Sequence, residues 1–579
     1  MKRRFKRNII ERMNNFNNAL EEAKADTINA PPEQLQNACY KLFSDQFREA
    51  AHESIGKIQI NHSHHKTRIE KQFDKLRKQI NNLKRKWHRQ LSDPQGEKFK
   101  KIEELQTKLR TLNKKITDSK TNSLIKRINK ANKKNDKRTV FKLLKHFNEP
   151  EKATDQKTIK LIRAENGQLV SKTTDIHDAF RSVWKEMFTH QGHNLAREIS
   201  EIKCDPPELE LTEQCKTYLE EKVLTNHENI GQMVEMEDYV KDKKVSPLCW
   251  IYISETETRE AIKLIKEDKA MGLDDISPML ISNKNGIGES ATFQETLTNI
   301  YNTGWQTGIY PNEWKMDRRI IISKTGDKMN PKNFRLIAVH SPFRKILNKI
   351  IENRIRALIK LDEAQAGFRF NRRTTDHALI LHDIIHTKAK IKRGLGTYIL
   401  VLDFSKAFDR CHIPTLCKKL RMKGISSCMM KLIENMFIDA TAALDINGMI
   451  GESFPATRGV PQGCVLSPLF FIIYIDDLLK ELRESGIKSD IAKQLLNALA
   501  FADDLSMIAM NLEDATKLLS ILERWCNKNY FELNMKKSGV MKVGGDPKIP
   551  EEKIKYKGTE LKSLNELKYL GFLQPKNGS

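Results

Sequence analysis

Two apolar segments in the last third of the chain each lead into aspartate, and together they limit how this part can fold. The first runs through residues 398–402 to Asp403, and an unbroken, partly β-branched run of this kind is typical of a buried central strand. The second has apolar runs on both sides of Ala502-Asp503-Asp504, which predicts a tight hairpin with two carboxylates at its tip.

Each segment alone has an ordinary explanation, since a salt bridge or a cap would account for Asp403 and aspartate is common in turns. A buried carboxylate nevertheless needs a partner, and neighbouring carboxylates repel each other until a cation relieves them. Mg²⁺ prefers carboxylate oxygens together with substrate phosphates. Two such ions can stabilise the attacking and leaving oxygens of a phosphoryl transfer. The combined pattern therefore indicates a phosphoryl-transfer site.

A third segment, residues 458–468, is rich in glycine and proline and predicts a loop that a substrate can approach closely. The apolar run that follows predicts a helix beginning near Pro468, because proline is favoured in the first turn of a helix. The N-terminus of such a helix is suited to binding anions.

Taken in order, DFSKAFD (403–409), RGVPQGCVLSP (458–468) and AFADDL (500–505) resemble motifs A, B and C of a reverse transcriptase. The form resembles that of non-LTR (LINE-type) retrotransposons. Met271 and Asp275 stand where that group usually has proline and glycine. Residues 269–274 resemble the group's N-terminal motif, and residues 320–324 with 333–337 resemble its fingers strands. Residues 365–376 resemble the block that follows those strands. Residues 533–538 resemble motif D, and residues 567–572 resemble motif E.

The resemblance implies an α+β right-hand polymerase core with fingers and palm, preceded by a basic helical N-terminal region. Because only seven residues follow Phe572, we expect the thumb to be largely missing. The domains expected are a basic, helical nucleic-acid-binding region at 1–150, a linker or N-terminal extension at 151–255, the fingers at 256–396, and the palm with motifs A to E at 397–579.

The resemblance also implies a role for each matching residue. Asp403, Asp503 and Asp504 would hold two Mg²⁺ ions, with Mn²⁺ as a substitute. Phe408 would be the aromatic gate that excludes a ribose 2′-hydroxyl, and Gln462 would line the nucleotide pocket. Lys324 and Arg335 would contact the incoming triphosphate. Lys537 or Lys536 would protonate the pyrophosphate leaving group.

The basic charge is concentrated at the front of the chain. Residues 1–150 hold 37 Lys and Arg against 17 Asp and Glu, whereas the whole chain has a net charge of +26. A polyanion such as nucleic acid is the simplest partner for this region, although solvated helix faces would explain the charge as well. Residues 66–116 predict a helical hairpin with an apolar seam in each arm, and 117–150 continue basic.

The expected activity is RNA-directed DNA synthesis on element RNA, and the expected partners are an RNA template, a DNA primer or target, and dNTPs. A separate endonuclease or thumb-containing polypeptide is a further expected partner. We expect no membrane partner, because the apolar run 469–475 is far shorter than the roughly 18–20 residues of a membrane span. We expect nuclear localisation, with a cytoplasmic stage during ribonucleoprotein assembly.

Two alternatives remain open at this point. The chain could be a truncated or domesticated nucleic-acid-binding remnant without polymerase activity, or an enzyme of the group II intron or telomerase type.

Two local patterns also have structural interpretations. Asp476-Asp477 predicts a surface pair on a helix, with Asp476 bonded to Lys480, and the apolar face within 514–526 predicts a core helix.

Overall fold

A computed structural model describes most of the chain outside one long N-terminal stretch. The described residues are 6–17, 31–55, 159, 161–189, 194–204, 212–235, 246–284, 286–324, 326–487, 497–549 and 552–576. The predicted helical hairpin at 66–116 and the basic stretch at 117–150 lie outside these residues. No helix among the described residues is both long and apolar enough to cross a membrane.

The described elements mix helices and strands along the chain. The α-helices are α1 (6–17), α2 (Pro32–Ile55), α3 (Thr173–Phe188), α4 (Leu195–Ser200), α5 (Glu213–Tyr218), α6 (His227–Glu235), α7 (Glu255–Lys263), α8 (Pro278–Ile281), α9 (Ala291–Thr307), α10 (Asn312–Lys315), α11 (Pro342–Leu358), α12 (Thr374–Ala389), α13 (Ala407–Arg410), α14 (Ile413–Met422), α15 (Ser427–Asn435), α16 (Ser467–Glu484) and α17 (Leu512–Lys528). Shorter helical turns are Leu219–Val223, Pro247–Cys249 and Pro331–Asn333.

The strands form two larger sheets and several two-stranded ribbons. They are β1 (Ile162–Arg163), β2 (Leu169–Val170), β3 (Met316–Ser323), β4 (Phe334–Val339), β5 (Thr397–Asp403), β6 (Thr441–Ile446), β7 (Met449–Ile450), β8 (Phe454–Pro455), β9 (Ala498–Phe501), β10 (Asp504–Ala509), β11 (Gly539–Val543), β12 (Lys555–Tyr556), β13 (Thr559–Glu560), β14 (Lys562–Ser563), β15 (Glu566–Tyr569) and β16 (Phe572–Pro575).

The central sheet has the strand order β14-β11-β5-β10-β9, with β5 in the middle and antiparallel to both of its neighbours. Successive residues of a strand point to opposite faces. Leu400 and Leu402 accordingly join the large core with residues of α16 and α17, whereas Ile399 joins a smaller core with residues of α12. Helices thus cover both faces, which explains why this strand is apolar throughout. The buried strand and the hairpin predicted from the sequence are confirmed.

The second sheet has the order β4-β3-β6-β7, with β8 pairing to β6. Strand β3 is antiparallel to β4 and parallel to β6. Because β6, β7 and β8 come from residues 441–455, this sheet draws strands from both sides of the fingers–palm boundary predicted at 396 and 397. Helix α16 begins at Ser467 with Pro468 in its first turn, as predicted.

The described N-terminal residues pack with the rest of the described core. Residues 1–56 form one compact unit with residues 160–579. Phe43 and Phe47 of α2 pack on Phe343 of α11, with ring centroids 5.1 and 5.4 Å apart. The charge follows the same division. Residues 1–56 hold 9 Lys and Arg against 8 Asp and Glu, and 57–150 hold 28 against 9.

The stretch at 151–255 contains a packed helix rather than only a linker. Helix α3 buries Phe180, Trp184 and Phe188 along one face, because these positions recur every four residues and fall on the same side of a helix. Phe180 packs on Phe334 of the second sheet with ring centroids 5.0 Å apart. Helix α3 is therefore part of the core beside β4.

The prediction of a surface pair at Asp476-Asp477 is wrong for Asp476. Its side chain is 1% exposed and accepts hydrogen bonds from the backbone N–H of Asp362 and from Lys423. The predicted pairing with Lys480 is present, with Lys480 Nζ 3.6 Å from Oδ2 of Asp476. The core face predicted within 514–526 is confirmed, and its buried residues are Ala515, Leu518, Leu519, Leu522, Trp525 and Cys526.

Candidate active site

Three carboxylates meet at one edge of the central sheet. Asp403 ends β5 and Asp504 begins β10, and the strand register places these two residues directly opposite each other. Asp503 lies in the two-residue turn between β9 and β10. Neighbouring antiparallel strands lie about 5 Å apart, so the sheet brings together residues that are 100 positions apart in sequence.

The turn that carries Asp503 is supported by a buried side chain. Ala502 has a left-handed backbone with φ of 57°, a conformation that tight hairpins require and that costs a non-glycine residue some energy. The side-chain oxygen of Gln365 accepts hydrogen bonds from the backbone N–H of Ala502 at 2.9 Å and of Gly367 at 2.7 Å. A Cβ on Gly367 would lie 2.2 Å from the Ala502 nitrogen, so this close approach requires glycine.

The electrostatics of the three aspartates favour a bound cation. Burial raises the pKa of Asp503, and Asp403 raises it further. Burial, Asp503 and Asp403 raise the pKa of Asp504 to about 6. A divalent cation would relieve this repulsion, and carboxylate oxygens are suitable ligands for one.

Among the described residues, no group of three or more His, Cys, Asp or Glu side chains is arranged to hold a metal ion. A pair of carboxylates such as Asp403 and Asp503 suits an ion that takes its other ligands from water and substrate phosphates. The residues present therefore fit a divalent metal ion shared with a phosphate substrate.

Asp403 is held by the loop at 532–538, which reasoning from the sequence treated only as a motif. Asn534 donates from Nδ2 to Oδ2 of Asp403 at 3.1 Å, and Lys537 Nζ lies 3.4 Å from Oδ1. The Asp403 backbone N–H donates to Ser538 Oγ at 3.1 Å. Asn534 and Ser538 thus orient Asp403. Both residues lie within the predicted motif D at 533–538, which is the sequence signal that could have found them.

A cleft of about 750 Å³ opens above Asp403 and Asp503; it is called the carboxylate cleft below. Asp504 does not line the cleft. The structure therefore gathers seven of the eight predicted site residues in one cavity, and their individual roles stay predictions. The seven are Lys324, Arg335, Asp403, Phe408, Gln462, Asp503 and Lys537.

Two features shape the floor of the carboxylate cleft. The Phe408 ring stacks on Phe471 of α16, with centroids 4.8 Å apart and an interplanar angle of 12°. The Gln462 backbone oxygen accepts a hydrogen bond from the backbone N–H of Ala338 in β4 at 2.6 Å. Gly463 has φ of 106°, and a Cβ there would lie 2.5 Å from the Ala338 oxygen, so glycine is required where this loop meets the second sheet.

The carboxylate cleft is also lined by basic residues. Lys324 lies at the end of β3 and Arg335 near the start of β4, so the second sheet places both at the cleft. Burial lowers the pKa of Lys324. Basic residues that the sequence analysis did not assign also line the cleft: Lys332, Lys406, Arg410 and Arg458. A cavity lined by both carboxylates and cations suits a metal-bound polyphosphate.

Comparisons with known proteins show which protein family this part of the chain matches. Residues 322–573 match the family described as reverse transcriptase (RNA-dependent DNA polymerase). The matched residues contain the three aspartates and every other predicted site residue. The chain therefore carries a polymerase domain of the reverse transcriptase class, and this class depends on divalent metal ions.

The curated relatives narrow the class to LINE-type, non-LTR retrotransposons. The Pol polyprotein of the R2DM element of Drosophila melanogaster is 31% identical over 272 residues, which cover 46% of this chain and 25% of the relative. Those of the R2 elements of Popillia japonica and Nasonia vitripennis are 31% and 28% identical, over 42% and 50% of this chain. These alignments cover 35% and 29% of the two relatives. The chain thus spans about a quarter to a third of the relatives' length, and its reverse transcriptase domain is of the LINE type.

Proposed function

We propose that this chain is the RNA-directed DNA polymerase of a LINE-type retrotransposon and copies the element's RNA from a DNA primer. The observation that supports this most directly is the juxtaposition of Asp403, Asp503 and Asp504 at one sheet edge, with Lys324 and Arg335 lining the same cleft as Asp403 and Asp503. Nucleotidyl transfer needs both halves of this arrangement, because the reacting phosphates must be held and their negative charge stabilised.

The chain's own residues would divide the work as follows. Lys324 and Arg335 would bind the triphosphate, and Phe408 and Gln462 would contact the nucleoside. The primer 3′-hydroxyl would lose its proton to solvent, and its oxygen would form a new bond to the α-phosphorus while the bond from that phosphorus to pyrophosphate breaks. Lys537 Nζ would donate a proton to the departing pyrophosphate oxygen.

Mg²⁺, with Mn²⁺ as a substitute, would be held by Asp403, Asp503 and Asp504 and would supply charge stabilisation at the attacking and leaving oxygens. Asn534 would restrict the rotation of the Asp403 carboxylate, because its Nδ2 donates a hydrogen bond to Oδ2 while Lys537 contacts Oδ1. The pKa values of Asp503 and Asp504 are raised, as expected for carboxylates whose mutual repulsion a bound cation would reduce.

The partners of the whole protein follow from this proposal. The template would be RNA and the primer a DNA target strand, and a separate endonuclease or thumb-containing polypeptide would assist. We also propose nuclear localisation, with ribonucleoprotein assembly in the cytoplasm, because target-primed synthesis needs chromosomal DNA.

Primer extension tests the proposed function. We expect the chain to extend oligo(dT) on poly(rA) with dTTP and Mg²⁺, and to stop when the metal is chelated. RNA binding without incorporation under Mg²⁺ or Mn²⁺ would contradict the proposal and favour a nucleic-acid-binding remnant. Such binding would weaken steeply with salt, because it rests on phosphate contacts.

A substitution of Phe408 tests its proposed role as a gate. We expect Phe408→Ala to raise the use of rNTPs relative to dNTPs by about 10- to 100-fold, since forcing an extra atom into a packed site costs about 1–3 kcal/mol. The measurement is the ratio of kcat/KM for UTP and dTTP. Phe471→Leu is the matched control, because it alters the ring beneath Phe408 and keeps the gate itself. Unchanged discrimination in Phe408→Ala would refute the assignment.

A further inference from the structure

Lys406 has an unusual environment for a lysine in a cleft. Its backbone is left-handed, with φ of 51°, three residues after the end of β5. Its ammonium lies 5.0 Å from the centroid of the Trp184 ring and 3.2 Å from Sδ of Met187. Lys406 also lines the carboxylate cleft. An aromatic ring and a thioether of α3 thus hold a cation at the edge of the reaction site.

The charge of Lys406 is not neutralised in the described part of the chain. No carboxylate oxygen of a described residue lies within 4.0 Å of its ammonium, although Asp409 attracts it from further away. Burial, together with repulsion from Lys324, Lys332 and Arg410, lowers the pKa of Lys406 to about 8. A cation–π contact compensates only part of such a cost. An anion bound in the cleft would compensate the rest.

The residues around Lys406 indicate which kind of anion would bind there. Lys406 lines the carboxylate cleft together with the cations Lys324 and Arg335 and the carboxylates Asp403 and Asp503. A single phosphodiester carries one negative charge, whereas a nucleoside triphosphate carries several and must lie next to the carboxylates to react. The crowding of Lys324, Arg335 and Lys406 beside the carboxylates therefore fits a polyphosphate better than a template or primer backbone.

We propose that Lys406 contacts the triphosphate of the incoming dNTP, and that Trp184 and Met187 of helix α3 are positioning residues for it. This inference rests on the proposed polymerase function and adds a binding residue to it. It also assigns α3, which lies before the matched reverse transcriptase residues 322–573, a part in nucleotide binding.

The test compares Lys406→Met with the unchanged chain and with Lys418→Met, an exposed lysine of α14 that does not line the cleft. The Kd for dTTP is measured on a poly(rA) template with a dideoxy-terminated oligo(dT) primer and Ca²⁺, so that no chemistry occurs. We expect Lys406→Met to weaken dTTP binding about 10- to 100-fold, the usual range for losing a charge-assisted hydrogen bond. Lys418→Met should leave it unchanged, and Lys406→Arg should restore most of it.

The contribution of α3 is tested by Met187→Leu, which keeps the bulk of the side chain and removes the sulfur beside the ammonium. We expect the KM for dTTP to rise by a few-fold and kcat to stay within a factor of about two, because the chemistry itself is untouched. Equal KM values for Met187→Leu and the unchanged chain would overturn the positioning role.

The outcomes separate this inference from the proposed function. If Lys406→Met binds dTTP normally while Lys324→Met does not, the role of Lys406 is wrong and the polymerase function stands. If Lys406→Met loses affinity for primer–template but not for dTTP, the ammonium binds nucleic acid and the inference is likewise wrong. If the unchanged chain binds no dTTP and incorporates none, both proposals fail. Should Lys406→Met not fold, Lys406→Gln carries the same expectation.

Discussion

Replacing Asp503 by alanine should abolish nucleotide incorporation, with a loss of at least about 10³-fold in kcat. A metal ion contributes several kcal/mol to stabilising the transition state of phosphoryl transfer, and about 1.4 kcal/mol corresponds to a factor of ten in rate. Asp503 lines the carboxylate cleft at the tip of the β9–β10 hairpin, and Asp403 lies close enough to raise its pKa. Primer extension on poly(rA)/oligo(dT) measures the effect.

Two controls make this result specific. Asp383→Ala makes the same chemical change at an exposed position of α12 and should leave incorporation unchanged. The affinity for Mn²⁺, followed by electron paramagnetic resonance, should fall in Asp503→Ala, whereas affinity for the primer–template should not. Retained synthesis by Asp503→Ala would remove Asp503 from the metal site.

Replacing Arg354 by methionine should destabilise the fold by about 3–5 kcal/mol, the usual result of removing one partner of a buried ion pair. The Arg354 side chain is fully buried and donates to both carboxylate oxygens of Glu257, at 2.8 and 2.6 Å. It also donates to three backbone oxygens, those of Leu248, Ile251 and Tyr252. The substitution leaves these acceptors without Arg354 as a donor, in a site that water does not reach.

The urea midpoint, followed by circular dichroism, measures this loss. The matched control is Arg197→Met, since Arg197 pairs with Glu201 on the exposed surface of α4 at 2.7 Å. Exposed pairs four residues apart on a helix contribute only about 0.3–0.5 kcal/mol. Similar midpoints for the two variants would show that the Arg354 network does not stabilise the core.

Much of the candidate site could be predicted from local patterns. The apolar run before Asp403 predicts β5, the two runs around Asp503-Asp504 predict the β9–β10 hairpin, and Pro468 predicts the start of α16. These predictions are confirmed because each depends on the period and composition of a short segment. The order of the motifs then pointed to a reverse transcriptase, and the family comparison agrees.

Other parts of the site depend on contacts between distant segments. Nothing local indicates that Gln365 supports the turn at Ala502, that Asn534 holds Asp403, or that Trp184 lies beneath Lys406. Asp476 was expected at the surface because its own helix offers Lys480, but the backbone N–H of Asp362 and the ammonium of Lys423 reach it from other elements.

The sequence by itself determined the class of protein and the strand, hairpin and helix start around the candidate site residues, because these elements are defined by short-range patterns. Only the tertiary structure decided how these residues meet. The register of β5 against β10 sets Asp403 opposite Asp504, and the packing of α2 and α3 joins N-terminal segments to the core. The physical reason is that burial and long-range pairing depend on which surfaces meet, and a periodic pattern shows that a face is apolar without showing what covers it.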